Sequence, residues 1–600
     1  MNTLAVMLVV APLLAGAVIA GASITPLGRR LADPLGVAVA VAVPAGAVVL
    51  IVTVGETTRV LWQGGWEPVH GQAIGVALVV DRPALLIVAL VGLLTAAALT
   101  WSWHFLADTG ASYVVLVLLF LGACDGFVLA GDVFDAFVWF ELMGVTAYAL
   151  TGMRVEEPRS VHGALSFGIV NTVGASLSLT GVALLYARTG ELNLAAIGAS
   201  LRTASADHLV LISCALLLTG VLVKMALVPF HFWTADAEAV APTPVCVLLS
   251  GAMITVGAFA VARWWWVVFD GAVPETAIRH ALLGFGAVTA VVGALMCATQ
   301  RHLKRLLAYS TVAHSGVISC GIGLLSGSGL AAAGLYAVGH ACSKGALFLV
   351  AGMLLNRFET LDEHELYGRG RRMHLAGAIF IVAGLSLAGL PPLGTWAGKS
   401  AYSGALADAH AEWLEVVLVL VSALTGGAVL RAGLRIFVGL GDVPDPGPDT
   451  HEEPEGDTPR RRDGFRVLAP PAVLLVLAAG LGLWPGVAAV AQRAGATMTD
   501  TGGYVDAVLH NAQVTAPEVT VEPLWQALSA GLGLLAVVLG IAFAVAGLWP
   551  SRRPRIVRAA LGPVRIMVRR LHDVHRAHVG DYVSWVLVGF TVLGATLLHT

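Results

Sequence analysis

The sequence predicts an all-α polytopic membrane protein, and three observations support this class. Hydrophobic residues make up 57% of the 600 residues and charged residues only 12%, and the mean hydropathy is +0.83. These values lie well beyond those of a soluble domain of this length. Apolar windows of roughly 20 residues, long enough to cross a bilayer as a helix, recur along the whole chain. The chain is therefore expected to cross a membrane many times.

About 16 candidate spans follow one another along the chain. They begin near residues 4, 34, 83, 112, 132, 162, 208, 243, 278, 306, 329, 373, 413, 466, 522 and 582. The first has no basic region before it, so we expect a retained span and not a cleaved signal. Most Arg residues outside the spans lie in loops after odd-numbered spans. Because such loops stay in the cytoplasm, both termini are predicted outside.

Two stretches differ from the spans. Residues 441–465 are rich in Pro, Asp and Glu and are expected to form a flexible cytoplasmic loop. Residues 552–579 alternate Arg with apolar residues at near-helical spacing, which predicts a basic helix along the cytoplasmic interface. The net charge of −3 and the absence of a separate basic domain argue against nucleic acid as a partner. The six cysteines are scattered singly without CxxC spacing, so we expect no disulfide, iron–sulfur cluster, zinc site or other cofactor.

Lysine is scarce, and its placement singles out the candidate functional residues. The chain has four lysines, and three of them, Lys224, Lys344 and Lys399, lie in apolar segments of membrane length. A charge inside hydrocarbon costs about 2.5 to 3.5 kcal/mol on insertion scales, so such a residue indicates function. Arg stays protonated in any protein environment, whereas a buried Lys can lose its proton. The membrane interior therefore holds the cations that can titrate.

Two spans carry signs of interruption. Lys224 precedes Pro229 by five residues in the seventh span, and Pro391 and Pro392 precede Lys399 in the twelfth. Proline cannot donate to the helical hydrogen-bond ladder, so each helix is expected to break there. Paired interruptions in two halves are typical of transporters built from inverted repeats.

Further ionisable residues accompany the lysines. The fifth span carries Glu141 near its middle, and on the eleventh span His340 and Lys344 lie four residues apart, on one helical face. Desolvation favours the neutral forms of Lys and Glu, while a nearby opposite charge favours the charged forms. Making and breaking a pair between Glu141 and Lys224 would thus switch the lysine between holding and releasing a proton. Lys344, His340 and water would pass that proton on to Lys399.

A structural alternative stays open. The same side chains could form ion pairs that only tie helices together, in a scaffold that conducts nothing. For His231 and His314 the structural interpretation is preferred. Asp132 and Asp135 near the outer end of the fifth span either form a cation vestibule or mark a helix end, and the helix end is preferred.

Five segments together resemble one family: GDVFDAFVWFE, KMALVPFHFWTADAEAVAPTPV, QRHLKRLLAYSTVAHSG, GHACSKGALFLVAG and GLPPLGTWAGKS. They are similar to the D-type subunits of Mrp cation/proton antiporters and to the antiporter-like, proton-conducting subunits of respiratory complex I. The resemblance covers roughly residues 85 to 440, with the segments in the family's order.

The resemblance implies a 14-helix core with two inverted five-helix repeats and discontinuous helices 7 and 12, followed by a C-terminal extension. We expect N-terminal helices in 1–105, the repeats in 106–267 and 278–440, and C-terminal helices in 466–600. By resemblance, Glu141, Lys224, Lys344 and Lys399 match the family's proton-relay positions on spans five, seven, eleven and twelve.

The same resemblance implies the biological setting. The expected function is proton translocation within a multi-subunit Na⁺/proton antiporter, in a bacterial inner or plasma membrane. The expected partners are other membrane subunits, lipid, H⁺ and Na⁺. The alternative is the same channel in complex I or a membrane-bound hydrogenase, and the chain is not expected to be an enzyme by itself. One departure stands out: relatives carry a titratable His or Lys in the eighth span, where this chain has Leu249 and Thr255.

Overall fold

A computed structural model describes residues 2–69, 73–103, 111–203, 207–443, 452, 455, 464–552, 566–571, 573 and 578–598. Within these residues, 14 helices are long and apolar enough to cross a membrane. They are Asn2–Ala22, Pro26–Val54, Arg82–Ser102, Ser112–Leu129, Val133–Thr151, Pro158–Thr189, Thr243–Phe269, Glu275–Thr299, Leu303–Gly323, Gly327–Phe358, Trp413–Val438, Phe465–Leu483, Ala527–Leu548 and Val579–Leu598. The two shorter apolar helices His208–Lys224 and His374–Ala388 occupy the remaining predicted positions, so the spans keep their sequence-based numbers below.

Both predicted interruptions are present. The seventh span consists of His208–Lys224 and, after a non-helical turn, Phe232–Val240. The twelfth span consists of His374–Ala388 and Gly394–Asp408. The Val228–Pro229 and Pro391–Pro392 peptide bonds in these turns are cis. The prediction of discontinuous helices 7 and 12 in an all-α membrane protein is confirmed.

The fold centre is made of the eighth, tenth and eleventh spans. The eighth and tenth are buried throughout their most apolar windows, and the eleventh almost throughout. The first, second, fourteenth, fifteenth and sixteenth are only about one-third buried and expose Leu, Val and Ile side chains. Because exposed aliphatic surface is stable against lipid or another membrane subunit but not against water, these helices form the periphery. The eighth and tenth spans pack on the interrupted seventh span, and the eleventh packs on the interrupted twelfth, so the central spans lie between the two interrupted helices.

The remaining described elements are short. A two-stranded antiparallel sheet pairs Arg59–Trp62 with Ala77–Val80, an addition to the all-helical prediction. Short helices that do not span the membrane cover Leu194–Thr203, Val487–Thr499 and Thr501–Leu509, and short 3₁₀ turns cover Gln63–Gly65, Arg369–Arg372 and Pro550–Arg552. The sheet lies beside the start of the third span, where Asp81 caps the helix and binds Arg263 from the eighth span at 2.5 Å.

The C-terminal region contacts both halves of the core. The fifteenth span packs on the twelfth and thirteenth, whereas the sixteenth returns to the sixth, seventh and ninth. There the Tyr582 hydroxyl donates to Asp236 at 2.7 Å, and its ring stacks on Phe232 at 5.0 Å. Of the predicted basic helix at 552–579, residues 566–571 are helical, and most of the rest lies outside the described residues.

Candidate functional site

Lys224 lies where the first half of the seventh span ends. It is the last residue of His208–Lys224 and is fully buried. Its Nζ lies 4.5 Å from the centroid of the Phe140 ring, and a Cβ placed on Gly144 would lie 2.9 Å from that Nζ. Among the described residues, none accepts a hydrogen bond from Nζ. Because Gly144 has no side chain, there is space beside it for the ammonium of Lys224.

Glu141 lies one helical turn before Gly144 on the fifth span, so it shares a face with the Lys224 pocket. The carboxylate and the ammonium of Lys224 attract each other electrostatically, but no direct ion pair joins them in the described structure. Oε1 of Glu141 is buried and has no hydrogen-bond partner among the described residues. The two groups therefore interact at a distance, without a direct bond in the described structure.

Lys344 lies in the middle of the eleventh span and is fully buried. Its Nζ donates to the backbone oxygen of Leu307 on the tenth span and lies 5.3 Å from the centroid of Phe348. His340, one turn earlier, acts electrostatically on Lys344, and its Nε2 has no hydrogen-bond partner among the described residues. As predicted from their spacing, the two side chains share one face.

His314 completes this cluster, although the sequence favoured a structural role for it. Its ring lies 4.9 Å from the ring of His340, centroid to centroid. Its Nδ1 bonds the Tyr336 hydroxyl at 2.6 Å, and Nε2 bonds Thr425 at 3.2 Å. His314 also lies within electrostatic reach of both Lys344 and Lys399. The position of His314 beside His340 follows only from the packing of the tenth span on the eleventh. The one signal for it in the sequence is that Ser310 and His314 lie four residues apart and so share a face of the tenth span.

Lys399 reaches back to the interruption of the twelfth span. Its Nζ donates to the backbone oxygen of Ala388 at 3.1 Å, which is the last residue of the first half-helix. Gly389 follows in a left-handed conformation with φ of 92°, which a residue with a Cβ rarely adopts. The broken helix thus exposes a carbonyl oxygen, which holds the ammonium.

The eighth span, which lies between the halves, offers no charged carrier in its middle. Ser250 and Thr255 donate back to Cys246 and Gly251 of the same helix, at 2.7 and 2.6 Å. Leu249 is buried and apolar. Both hydroxyls therefore bond within their own helix.

Three ionisable groups near the helix ends expected to face the cytoplasm were not predicted from the sequence: Lys304, Glu455 and Glu238. Lys304 at the start of the tenth span forms a buried ion pair with Glu455 at 2.7 Å and also donates to Ala241 O at 3.0 Å. Glu455 further accepts from the backbone N and the hydroxyl of Thr243, at 2.8 and 2.6 Å. This set of Lys304, Glu455 and Thr243 is called the cytoplasmic clamp below. The only signal in the sequence was the fourth lysine next to a helix start.

The third of these groups is Glu238, in the second half of the seventh span. It is fully buried, and neither carboxylate oxygen has a hydrogen-bond partner among the described residues.

Asp132 caps the fifth span. It accepts hydrogen bonds from the backbone N of Phe134 and Asp135, each at 2.8 Å, which is the helix-end role the sequence favoured. In the described part of the chain, no group of three His, Cys, Asp or Glu side chains could hold a metal ion.

Comparison with known proteins identifies the family. Residues 130–425 match the family model described as NADH:quinone oxidoreductase/Mrp antiporter, transmembrane. The chain is 32% identical to NADH-quinone oxidoreductase subunit N of Desulforudis audaxviator, over 73% of this chain and 86% of that protein. The chain belongs to this family.

Other members resemble the chain over greater lengths. The D-type subunit of the Na(+)/H(+) antiporter of Bacillus subtilis is 27% identical over 85% of this chain and the whole of that protein. A chain in the solved structure of the Mrp complex from Dietzia sp. superposes with a TM-score of 0.74, at 28% identity, covering 85% of this chain and 99% of that one. Membership of the NADH:quinone oxidoreductase/Mrp antiporter family confirms the predicted resemblance and the membrane-spanning fold. The matched region contains Glu141, Lys224, Lys344 and Lys399.

Proposed function

We propose that this chain is a proton-translocating subunit of a multi-subunit Na⁺/proton antiporter of the Mrp type, in a bacterial plasma membrane. One observation carries the proposal: three ammonium groups lie inside membrane-spanning segments, and none has a direct carboxylate partner among the described residues. A structural cation buried in protein is normally neutralised by an ion pair, because an unpaired charge costs several kcal/mol. A lysine that must release its proton is easier to deprotonate when no carboxylate holds it in a direct ion pair.

The geometry of Glu141 and Lys224 suits such a switch. At an effective dielectric constant of about 20, a unit ion pair at about 4 Å is stabilised by about 4 kcal/mol, and one at about 8 Å by about 2 kcal/mol. The difference of about 2 kcal/mol changes a protonation equilibrium by about thirtyfold. A movement of the fifth span relative to the seventh by a few ångströms is thus enough to load or unload the Lys224 ammonium.

The second half of the core supplies the onward path. Lys344, His340, His314 and Lys399 follow one another between the eleventh, tenth and twelfth spans. Orphaned buried polar atoms are the usual places for ordered water, and His340 Nε2 and Ser310 Oγ are such atoms in the described structure. Protons would move through these side chains and the water between them, from Lys344 to Lys399.

Similarity to subunit N of an NADH-quinone oxidoreductase supports a second candidate, the same channel in a complex I-like or hydrogenase-linked assembly. In that setting redox chemistry in other subunits would drive the protons. Purification of the intact complex separates the two, because an antiporter would contain further small membrane subunits and an oxidoreductase would contain iron–sulfur subunits. A scaffold that conducts nothing is the third possibility.

Replacement of Lys224 by Ala tests conduction directly. In membrane vesicles that contain the assembled complex, we expect the Na⁺-dependent proton flux, followed with a pH-sensitive dye, to be abolished. The amount of assembled complex is measured in parallel on native gels. Normal flux through a fully assembled K224A complex would contradict the proposed function and favour the scaffold.

A further inference from the structure

Glu238 is a buried carboxyl group to which the relay described above gives no role. It lies two residues before the end of Phe232–Val240, the second half of the seventh span. Its side chain is fully buried, with neither oxygen hydrogen-bonded among the described residues. Burying a carboxylate without a partner costs several kcal/mol, so Glu238 destabilises the fold unless a charged group compensates it.

The surroundings of Glu238 connect it to Lys344. The Cys246 thiol donates to the backbone oxygen of Glu238 at 3.2 Å. The next residue, Val247, packs against the eleventh span so closely that a Cβ on Gly345 would lie 3.3 Å from its Cγ1. The Glu238 carboxylate and the Lys344 ammonium attract each other across this contact. Lys344 is thus the basic side chain that interacts electrostatically with Glu238.

Glu238 also lies close to the cytoplasmic clamp. Ala241, three residues later, accepts the hydrogen bond from Lys304. Three residues of helix correspond to about 4.5 Å along the axis, so the carboxyl lies roughly one turn inside the clamp. Lys344 binds the Leu307 carbonyl, which is likewise one turn from the start of the tenth span. The acid and the lysine therefore lie at similar depth, each about one helical turn from the cytoplasmic clamp.

We propose that Glu238 exchanges protons with Lys344 and supplies the second half of the core from the cytoplasmic side. In this step the protonated carboxyl of Glu238 loses its O–H bond and the neutral amine of Lys344 gains an N–H bond, directly or through one water. The resulting carboxylate and ammonium form a loose pair, and a proton from the cytoplasm then restores the carboxyl when the clamp opens. This inference rests on the proposed function, and it gives Lys344 a proton source that does not pass through the eighth span.

The test compares Glu238→Gln with a matched control in vesicles that contain the complete complex. Gln preserves shape and polarity but cannot carry a proton, so Na⁺-dependent proton flux per assembled complex should fall by at least about tenfold. Glu238→Asp, which keeps a carboxyl, should restore much of the flux. The control is Asp125→Asn, because Asp125 is another fully buried carboxyl without hydrogen-bond partners in the described structure, and no charged group acts on it there. Its flux should stay within about twofold of wild type, since it carries no relay proton.

The outcomes separate this inference from the proposed function. If Glu238→Gln conducts normally while Lys224→Ala does not, the role of Glu238 is wrong and the proposed function stands. If both variants conduct normally, the proposed function fails as well. A measurement on the unchanged protein covers the case in which Glu238→Gln does not assemble: dicyclohexylcarbodiimide, which attacks protonated carboxyls in apolar surroundings, should modify Glu238 and stop the flux together. Inhibition without an adduct on Glu238 would overturn the inference.

Discussion

The Nζ of Lys304 and the Oε1 of Glu455 lie 2.7 Å apart inside the protein, although 151 residues separate them in the chain. The pair joins the loop after the thirteenth span to the start of the tenth. Thr243 at the start of the eighth span donates to the same oxygen, so three segments meet at one carboxylate. This clamp lies about one helical turn from Glu238, at the helix ends that the sequence predicts to face the cytoplasm.

Removing one partner of the clamp should destabilise the protein more than removing both. Lys304→Met leaves the Glu455 carboxylate buried and unpaired, which typically costs about 3 to 5 kcal/mol. The double variant Lys304→Met with Glu455→Gln leaves no uncompensated charge, and we expect it to recover more than half of that loss. Thermal unfolding in detergent measures the difference. A double variant that is less stable than Lys304→Met would contradict this account.

The clamp should weaken in acid. Burial by itself raises the pKa of the Glu455 carboxyl, but the attraction of Lys304 and Arg154 and the hydrogen bonds from Lys304 and Thr243 outweigh burial, so its pKa lies below the ordinary 4.5. A carboxyl with a lowered pKa stabilises the folded state fully above its unfolded pKa, and this contribution is lost as the pH falls through the folded pKa.

The comparison that isolates this effect is wild type against Glu455→Gln. Wild type should unfold at a higher temperature than the variant at pH 7, and the gap should begin to close below pH 4.5, the ordinary pKa of this group. The amide cannot titrate, so acid effects elsewhere in the chain cancel in the difference. A gap that stays constant from pH 7 down to complete acid unfolding would show that the carboxylate does not stabilise the fold.

Gly144→Ala should displace the Lys224 ammonium without breaking the fifth span. The added methyl would lie 2.9 Å from the Nζ of Lys224 and closer still to the Nδ2 of Asn171, so both side-chain ends must move, the lysine away from its place beside Phe140. Because Ala favours helices more than Gly does, the helix itself is not weakened. We expect a proton flux reduced by about tenfold with normal assembly, since a shift of about 1.4 kcal/mol in the lysine's environment has that effect.

The control for this substitution is Gly334→Ala in the eleventh span, where no atom lies within 4 Å of an added Cβ. Its flux and assembly should match wild type. Equal losses in both variants would show that helix glycines matter in general, and not the space at Gly144.

Lys399→Arg distinguishes a proton carrier from a fixed positive charge. Arg keeps its proton in any protein environment, but it can still donate to the Ala388 carbonyl. A purely structural cation would tolerate the exchange, whereas a relay group would not. We expect an assembled complex with proton flux lowered at least about tenfold, because general acid–base transfer at this position is lost. Vesicle flux measurements against Lys399→Ala check this, and wild-type flux in Lys399→Arg would remove Lys399 from the relay.

Much of the architecture could be read from the chain itself. Hydrophobic windows of membrane length set the number and order of the spans, because backbone groups inside a bilayer must be hydrogen-bonded within a helix. The positions of Pro229, Pro391 and Pro392 predicted the two interruptions, since proline removes a donor whatever the surroundings. Lys224, Lys344 and Lys399 were identified because charge is costly in hydrocarbon, which is a local property of each segment.

The sequence alone determined this membrane-spanning helical class, the interrupted helices and the three intramembrane lysines that we propose as relay groups. Only the tertiary structure showed that no direct bond joins Glu141 and Lys224, and it alone placed His314 beside His340, Glu238 within electrostatic reach of Lys344, and Glu455 on Lys304. The physical reason is that periodicity and burial cost act within one helix. Partner choice depends on how helices distant in the chain rotate and pack, and one-dimensional spacing carries no information on that.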